Sequence, residues 1–397
     1  MKVLVHDYSG HPFQIQLSRE LAKRNDSILH IYSDSFQTPK GNLKKEDIDS
    51  INLNVKSIKL PYEFKKYSFL KRHFQELEYG KLLINEVDKF KPDIVISSNT
   101  PLDVQKLLIK YCNINSIPFT FWVQDLQGIA IKKILSKKYP LIGTLIGMYY
   151  NFLERRLFKK SDDIILISED FKSFVVPYVE KNNIYVIENW APIDEIPVKE
   201  KNNEWSVKNN LDKTKNIVYS GTLGMKHNPK LLFDLAYKLR ESKDVKIIVI
   251  SEGLGANWLK SKKELHKLDN LILMDYQPFE QMPNVLATAD ILVGILEEDA
   301  GTFSVPSKVL TYLCSGKPIL LSVPEKNLSA RIVKNTNAGI IVNPNNNKGF
   351  IDDAIKLLND DELRNNLGKN ARKYAEDTFN IKLIADKFCE IINKYRM

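Results

Sequence analysis

Residues 217–240, IVYSGTLGMKHNPKLLFDLAYKLR, hold the pattern on which the fold turns. Ile217–Tyr219 reads as a short apolar strand, a glycine-bearing turn follows, and Pro229–Arg240 has the spacing of an amphipathic helix. Pro229 suits the first turn of that helix, where no backbone donor is needed. A strand that passes through a turn into a helix is half of a parallel crossover, and the alternation continues on both sides. Downstream, strands are expected at Val245–Ile250, Leu271–Met274, Ile291–Gly294, Ile319–Leu321 and Ile340–Val342. Helices are expected at Met282–Ala287 and Ser307–Cys314, and Phe350–Met397 reads as helical throughout. Upstream, strands are expected at Lys2–His6, Ile28–Tyr32, Asp93–Ser97, Phe119–Trp122, Ile164–Ile167 and Tyr185–Ile187. Helices there are Phe13–Arg24, Phe74–Phe90 and Leu102–Tyr111. The polar stretch 191–215, with Pro192, Pro197 and the run VKEKNNE, reads as a linker. The expectation is an α/β protein of two doubly wound, Rossmann-like domains with a ligand cleft between them, at the carboxyl ends of strands.

A chain of 397 residues is long enough for two cores of ~150–200 residues each. Its formal net charge of +9 favours anionic partners, whether nucleic acid, acidic lipid or phosphorylated substrates. Nucleic acid is the weakest of the three, because no zinc-type cysteine spacing and no RNA-binding signature appear. Cys112, Cys314 and Cys389 are scattered and odd in number, which fits a reducing compartment. The amino terminus, MKVLVHDYSG, reads as a strand and not as a signal peptide. The longest uncharged run, Tyr139–Leu153, has fifteen residues and falls short of a ~20-residue span. These features suit a cytoplasmic protein.

Several stretches carry candidate chemistry. Gly221 and Gly224 lack a Cβ, so backbone amides there can approach an anion, with Lys226 as a point charge at the start of a helix. A tight turn with a surface lysine is the alternative. KIIVISEGLGANWL (246–259) is a buried strand ending in Glu252-Gly253. Ser307 stands where a helix-capping hydroxyl would, and Gly316 ends that helix. In SGHPFQ (9–14), Gly10 fits a turn near substrate and His11 either faces the cleft or merely sits on a capped surface turn. FWVQDLQG (121–128) sets Asp125 just past a strand end, as a cleft residue or a helix cap. Asn189 follows the strand at Tyr185–Ile187 and has a structural reading too. Between Ile131 and Lys160 there are eight basic residues (Lys132, Lys133, Lys137, Lys138, Arg155, Arg156, Lys159, Lys160) against one acid, Glu154. With PLIGTLIGMYYNFL between the basic clusters, the stretch suits a surface resting on anionic lipid, or a core helix with solvated ends.

Taken together, YSGTLGMKHNPKLLFDLAYKL, KIIVISEGLGANWL, LILMDYQPFEQMPNVLATADILVGI and VPSKVLTYLCSGKPILLSVPEKNLSARIVKNTNAGIIV resemble the donor domain of family 4 retaining GT-B glycosyltransferases. HPFQIQLSRELAKRNDSILHIY resembles the family's first helix and strand, and VIENWAPIDE the segment that crosses into the second domain. PSK at 306–308 is typical of the branch that includes colanic-acid and O-antigen glycosyltransferases.

The resemblance implies an acceptor-binding domain over 1–190, a donor-binding domain over 191–375 and a terminal helix, 376–397, packing back on the first domain. It implies transfer of a hexosyl or N-acetylhexosaminyl group from a nucleotide-sugar, UDP-linked, with retention and with neither metal ion nor cofactor. The acceptor would be a lipid-linked glycan at the inner membrane face, in surface polysaccharide biosynthesis. Donor-side candidates are Gly221, Thr222, Gly224, Glu252, Gly253, Tyr276, Phe303, Ser304, Ser307, Lys308 and Thr311. Gly10 and His11 belong to the acceptor side, and Asp125 and Lys226 to catalysis. The sequence also departs from the family. Thr222 stands where many members have an arginine that grips the diphosphate, and Lys308 is placed to restore that charge. The frame set by SGKPIL puts Phe303 and Thr311 at the two positions of the family's Glu-x7-Glu motif. These losses keep open a non-catalytic partner subunit of another transferase. A GT-B epimerase or a glycogen-synthase-like polymerase shares the fold, whereas a nicotinamide enzyme is disfavoured because no G-x-G-x-x-G follows the first strand.

Overall fold

The computed structural model describes residues 1–396 except 25, 37, 39, 66, 67, 225, 226 and 299–304, and of Lys138 the backbone alone. It divides into two compact units: Met1–Asn189 with Ile381–Met397, and Trp190–Asn380.

The first unit runs β1 (Lys2–Asp7), α1 (Pro12–Lys23), β2 (Ser27–Ser33), β3 (Leu53–Ile58), α2 (Phe69–Phe90), β4 (Ile94–Ser98) and α3 (Leu102–Ile114). It continues through β5 (Phe119–Val123), α4 (Gln127–Lys138), α5 (Ile142–Lys160), β6 (Asp163–Leu166), α6 (Lys172–Val175) and β7 (Ile184–Val186). The strands form one sheet in the order β3-β2-β1-β4-β5-β6-β7, all pairs parallel. Helices cover both faces of such a sheet, so β4, β5 and β6 are buried along their whole length and read as apolar runs without alternation. β3 lies at the edge with most of its side chains reached by solvent; its mixed sequence, LNVKSI, gave no strand signal.

The second unit contains α7 (Glu204–Lys208), β8 (Lys215–Ser220), α8 (Pro229–Lys238), β9 (Val245–Ile250), α9 (Leu254–His266), β10 (Leu271–Met274), α10 (Met282–Ala287) and β11 (Ile291–Ile295). There follow α11 (Lys308–Cys314), β12 (Ile319–Ser322), α12 (Leu328–Asn335), β13 (Gly339–Val342), α13 (Asn347–Asn359) and α14 (Asp361–Thr378). Its parallel sheet has the order β10-β9-β8-β11-β12-β13. Leu231, Leu232, Leu235, Ile247, Val249, Val293 and Phe350 pack its core. The fold is therefore two Rossmann-like, doubly wound units. Strand order reverses between β1 and β4 in one and between β8 and β11 in the other, and at such reversals open sheets bind ligands.

Two local expectations need correction. The stretch 191–215 is no free linker: Asn203 caps α7 in a capping box, and Trp205 and Leu211 are buried in the second unit. The carboxyl-terminal helix is not continuous either. Asp360 accepts from the Leu363 amide (2.8 Å) and starts α14 afresh, and α15 (Ile381–Asn393) begins after a second break. α15 belongs to the first unit, where Arg24, just after α1, pairs with Asp386 (2.6 Å) and donates to the Lys382 carbonyl (2.8 Å). Arg396 adds an ion pair to buried Asp26 (2.8 Å).

Two histidines are fully buried in the first unit. His6 Nδ1 lies 3.0 Å from both Ser97 Oγ and Thr100 Oγ1, and its Nε2 lies 2.9 Å from the Tyr79 hydroxyl. His30 Nδ1 is 2.8 Å from Ser18 Oγ, and its Nε2 has no partner. Burial lowers both to about 3. A depressed folded value means that the unfolded chain takes up protons first as pH falls below ~6.5, so stability is lost on acidification. Each histidine is worth up to ~1.4 kcal/mol per pH unit there. Denaturant titrations at pH 7 and pH 5 should show that loss, and a His30→Phe variant should show a shallower one. Equal slopes for the two proteins would remove His30 from the account.

Candidate functional site

The site in the second unit is built on the carboxyl end of β8, beside the reversal in strand order. Gly221 leaves the strand at φ +127°, a conformation that side chains rarely adopt. A Cβ there would lie 3.0 Å from Lys308 Cε and 3.1 Å from its Nζ, so a side chain would strain the backbone and shift the end of the lysine by a few tenths of an ångström. Lys308 opens α11 and holds its ammonium 3.6 Å from the centre of the Tyr219 ring, an arrangement attractive to a cation. One turn further along the same helix, the Tyr312 hydroxyl accepts from the Ser220 amide (2.9 Å) and donates to the Ser220 carbonyl (3.0 Å). Ser220 is a buried strand end, and this one hydroxyl satisfies both of its backbone groups. Burial raises the Tyr312 phenol well above its ordinary value, so it stays protonated and able to donate.

The turn itself is held from beneath. The Tyr219 hydroxyl donates to the Thr222 carbonyl (2.8 Å), and Thr222 Oγ1 shares a hydrogen bond with the Tyr276 hydroxyl (2.7 Å). The Gly221 amide donates to Ile250 O (3.0 Å), the Leu223 amide to Glu252 O (3.2 Å) and the Gly224 amide to His227 Nδ1 (3.0 Å). Of the amides expected to cradle an anion across Gly221–Gly224, those of Gly221, Leu223 and Gly224 are used within the fold, and Gly221 contributes space rather than a hydrogen bond. Gly253, at φ +118°, leads from β9 into α9, and the Gly255 amide donates to Leu223 O (2.9 Å). A Cβ on Gly255 would come within 2.6 Å of that oxygen, so the turns after β8 and β9 interlock through glycine.

Ser307 is exposed, has helical backbone angles and makes no side-chain cap, which corrects its reading as a capping hydroxyl. Thr311 is half-buried on α11, one residue before Tyr312. Glu252 is half-buried at the carboxyl end of β9. Lys226, Phe303 and Ser304 lie outside the described residues. Sequence reading missed Tyr219, Tyr312 and Gly255. The contacts of Tyr219 with Lys308, of Tyr312 with Ser220 and of Gly255 with Leu223 each join residues 30 or more positions apart, and only the motif PSK hinted that the start of α11 mattered.

In the first unit, Gly10 has φ +72° and stands after β1, with Leu43 Cδ1 2.8 Å from where a Cβ would be. Buried Asp7 holds this turn: it accepts from the Ser9 amide (3.1 Å), the His11 amide and Asn99 Nδ2 (3.2 Å). Its carboxyl is nevertheless raised by burial, the largest influence, which these contacts only partly oppose. His11 precedes α1 without a side-chain cap and stacks on Phe13 at 5.7 Å between ring centres. Asp125 is exposed past the end of β5, two residues before α4. It does not cap α4. Buried Glu154, on α5, accepts from the Gln127 and Gly128 amides there, with its value raised to about 7 by burial. Asn189 and Gln124 pair their side-chain amides, donating 2.6 and 3.3 Å apart.

Residues 201–374 match the family model described as glycosyl transferases group 1. Among curated proteins, an uncharacterized glycosyltransferase of Methanocaldococcus jannaschii is 25% identical over 297 residues, 69% of this chain and 73% of the relative. An Escherichia coli UDP-Gal:alpha-D-GlcNAc-diphosphoundecaprenol alpha-1,3-galactosyltransferase is 23% identical over 280 residues, 68% of each chain. Among solved structures, Anabaena HepE in complex with UDP and glucose superposes with a TM-score of 0.72 at 12% identity, covering 99% of each chain. These matches support a GT-B glycosyltransferase. Among the described residues no helix is long and apolar enough to cross a membrane, and no group of three metal-binding side chains is assembled.

The double hydrogen bond of Tyr312 gives a direct test. A Tyr312→Phe variant should lose ~1–3 kcal/mol, the cost of leaving buried backbone groups unsatisfied, read as a lower urea midpoint at unchanged m-value. An unchanged midpoint would show that β8 is pinned by other contacts.

Proposed function

We propose that the chain is a retaining, metal-independent glycosyltransferase of family 4, in the branch of colanic-acid and O-antigen enzymes. It would move a hexosyl or N-acetylhexosaminyl group from a UDP-linked donor to a lipid-linked glycan in bacterial surface polysaccharide or capsule biosynthesis, working as a peripheral protein at the cytoplasmic face of the membrane. The observation that carries the reading is the lysine held over bare Gly221 at the strand reversal of the unit that contains the family match. Departure of a sugar–diphosphate bond leaves negative charge on the diphosphate, and a preorganised cation stabilises it more than water does. Lys308 is the residue proposed for that task. The E. coli relative named for a UDP-galactose donor and a diphosphoundecaprenol acceptor supports the two substrate classes.

Asp125 is proposed as the polar residue of the first unit that serves the reacting carbon, and Gly10 and His11 as its acceptor-side turn. These assignments, and those of Lys226, Phe303 and Ser304, rest on the resemblance. One observation favours a second reading. Thr311 offers a hydroxyl where the family's second glutamate would grip the ribose, which suits a subunit that binds donor without turning it over.

The test is calorimetry and thermal shift with UDP and UDP-sugars. A ligand at ~100 times its dissociation constant should stabilise the protein by ~2.7 kcal/mol. Lys308→Ala should weaken UDP binding by ~1.5–3 kcal/mol, the range for a hydrogen bond to a charged group. Unchanged affinity in a folded variant would sink the role given to Lys308. UDP release that depends on a lipid-linked acceptor supports the enzyme, and tight donor binding without release supports the partner subunit.

A further inference from the structure

The α4–α5 hairpin has two unlike faces. The inner one carries glycines where the two helices meet. A Cβ on Gly143 would run into the Leu135 carbonyl, one on Gly147 into the backbone of Lys132, and one on Gly128 into Glu154 and the backbone of Asn151. The paired numbers sum to a nearly constant value, so the helices are antiparallel and in close contact along their length. On the outer face, large apolar side chains stand in solvent. Leu141 is 84% exposed, Ile142 69%, Leu145 68%, Met148 54% and Phe152 57%. Their spacing along α5 places them in one stripe about 16 Å long. The lower part of α5 behaves differently: Leu153, Leu157 and Phe158 turn into the core.

Charge flanks the stripe on both sides. Lys132, Lys133 and Lys137 are exposed on α4, and Arg155, Arg156 and Lys159 at the end of α5. The only acid between 131 and 160 is Glu154, which is buried. A second copy of the chain meeting this face would bring its own cations against them, an arrangement that costs energy. An anionic surface with an apolar layer beneath it suits both features.

We propose that the α4–α5 hairpin is a membrane-docking wedge: the stripe from Leu141 to Phe152 enters the acyl boundary of a bilayer while the flanking lysines and arginines meet anionic lipid headgroups. This deepens the reading of a lipid-linked acceptor by naming the surface that finds the membrane. It extends to apolar insertion, which charge attraction alone does not produce. Stripe length and orientation fit a helix lying in the interface and not one that spans.

The experiment is sedimentation of the full chain with vesicles of phosphatidylcholine, with and without phosphatidylglycerol. Wild type should sediment with the anionic vesicles. Part of that binding should survive about 1 M salt, where the Debye length falls to ~3 Å. The paired change Leu145→Ser with Phe152→Ser removes apolar surface at exposed positions and should weaken the salt-resistant binding by more than about tenfold. Lys132→Gln, Lys133→Gln and Lys137→Gln together should abolish the preference for anionic vesicles. Circular dichroism and UDP affinity, measured on the same preparations, should match wild type, which separates this proposal from the donor reading. The proposal is overturned if wild type stays in the supernatant, or if the serine variant sediments like wild type. It is equally overturned if wild type is a dimer that the serine variant turns monomeric while neither binds vesicles.

Discussion

Lys308 and Tyr312 lie four residues apart on α11 and so share one face of that helix. Both reach the end of β8, the tyrosine to satisfy the backbone of Ser220 and the lysine to cover Tyr219 and Gly221. The arrangement couples a structural demand to a chemical one. A strand that ends in a buried position must give its last amide and carbonyl to something, and here the donor and acceptor come from the helix that also carries the cation. The ammonium is thus placed by a short helix whose position is fixed one turn away. Gly221 completes the fit, because any side chain there would contest the space the lysine fills.

The parallel sheets explain why such arrangements gather at one edge. With helices on both faces, the strands can vary little, and polar side chains inside them must be hydrogen-bonded among themselves. His6, Ser97, Thr100 and Tyr79 do this in the first unit, close under the turn that Asp7 organises. What is free to change is the loop after each strand. Three such loops, after β1, β8 and β9, carry a glycine in the left-handed region: Gly10, Gly221 and Gly253.

The doubly wound fold was legible because burial on both faces turns strands such as Ile94–Ser98 and Ile291–Ile295 into continuous apolar words. β3 was not, since an edge strand with exposed side chains has no such signature. The breaks before α14 and α15 were hidden by helix-forming sequence on either side, and only the cap at Asp360 reveals the first. For the candidate site, Gly221 could be singled out locally, as a glycine in a strand-to-helix turn. Its neighbours could not. Whether an amide in that turn faces an anion or a carbonyl depends on β9, and whether Lys308 meets Tyr219 depends on residues almost ninety positions apart.

The hairpin of α4 and α5 poses the converse problem, since its sequence is as apolar as a core helix and its packing is not. The difference is set by where small residues fall. Gly143 and Gly147 occupy one face of α5, and with Gly128 they let the two helices approach until backbone meets backbone. That contact runs along the glycine face, joined by a hydrogen bond from Thr144 Oγ1 to Ser136 Oγ (3.1 Å), and the large side chains opposite stay exposed. The root is anchored separately: Glu154 holds the first amides of α4, and the Tyr150 hydroxyl donates to buried Asp103 of α3 (2.7 Å). A carboxylate at a helix start is favoured by the helix dipole, and here burial opposes its ionisation, so the anchor keeps its hydrogen bonds to α4 while its charge is disfavoured. The anchored root follows directly on the end of β5 and Asp125, and the apolar stripe runs from the tip at Leu141 down to Phe152, beside that root. A hairpin fixed at its base by buried polar contacts and left apolar at its tip is built to present that tip to something other than its own core.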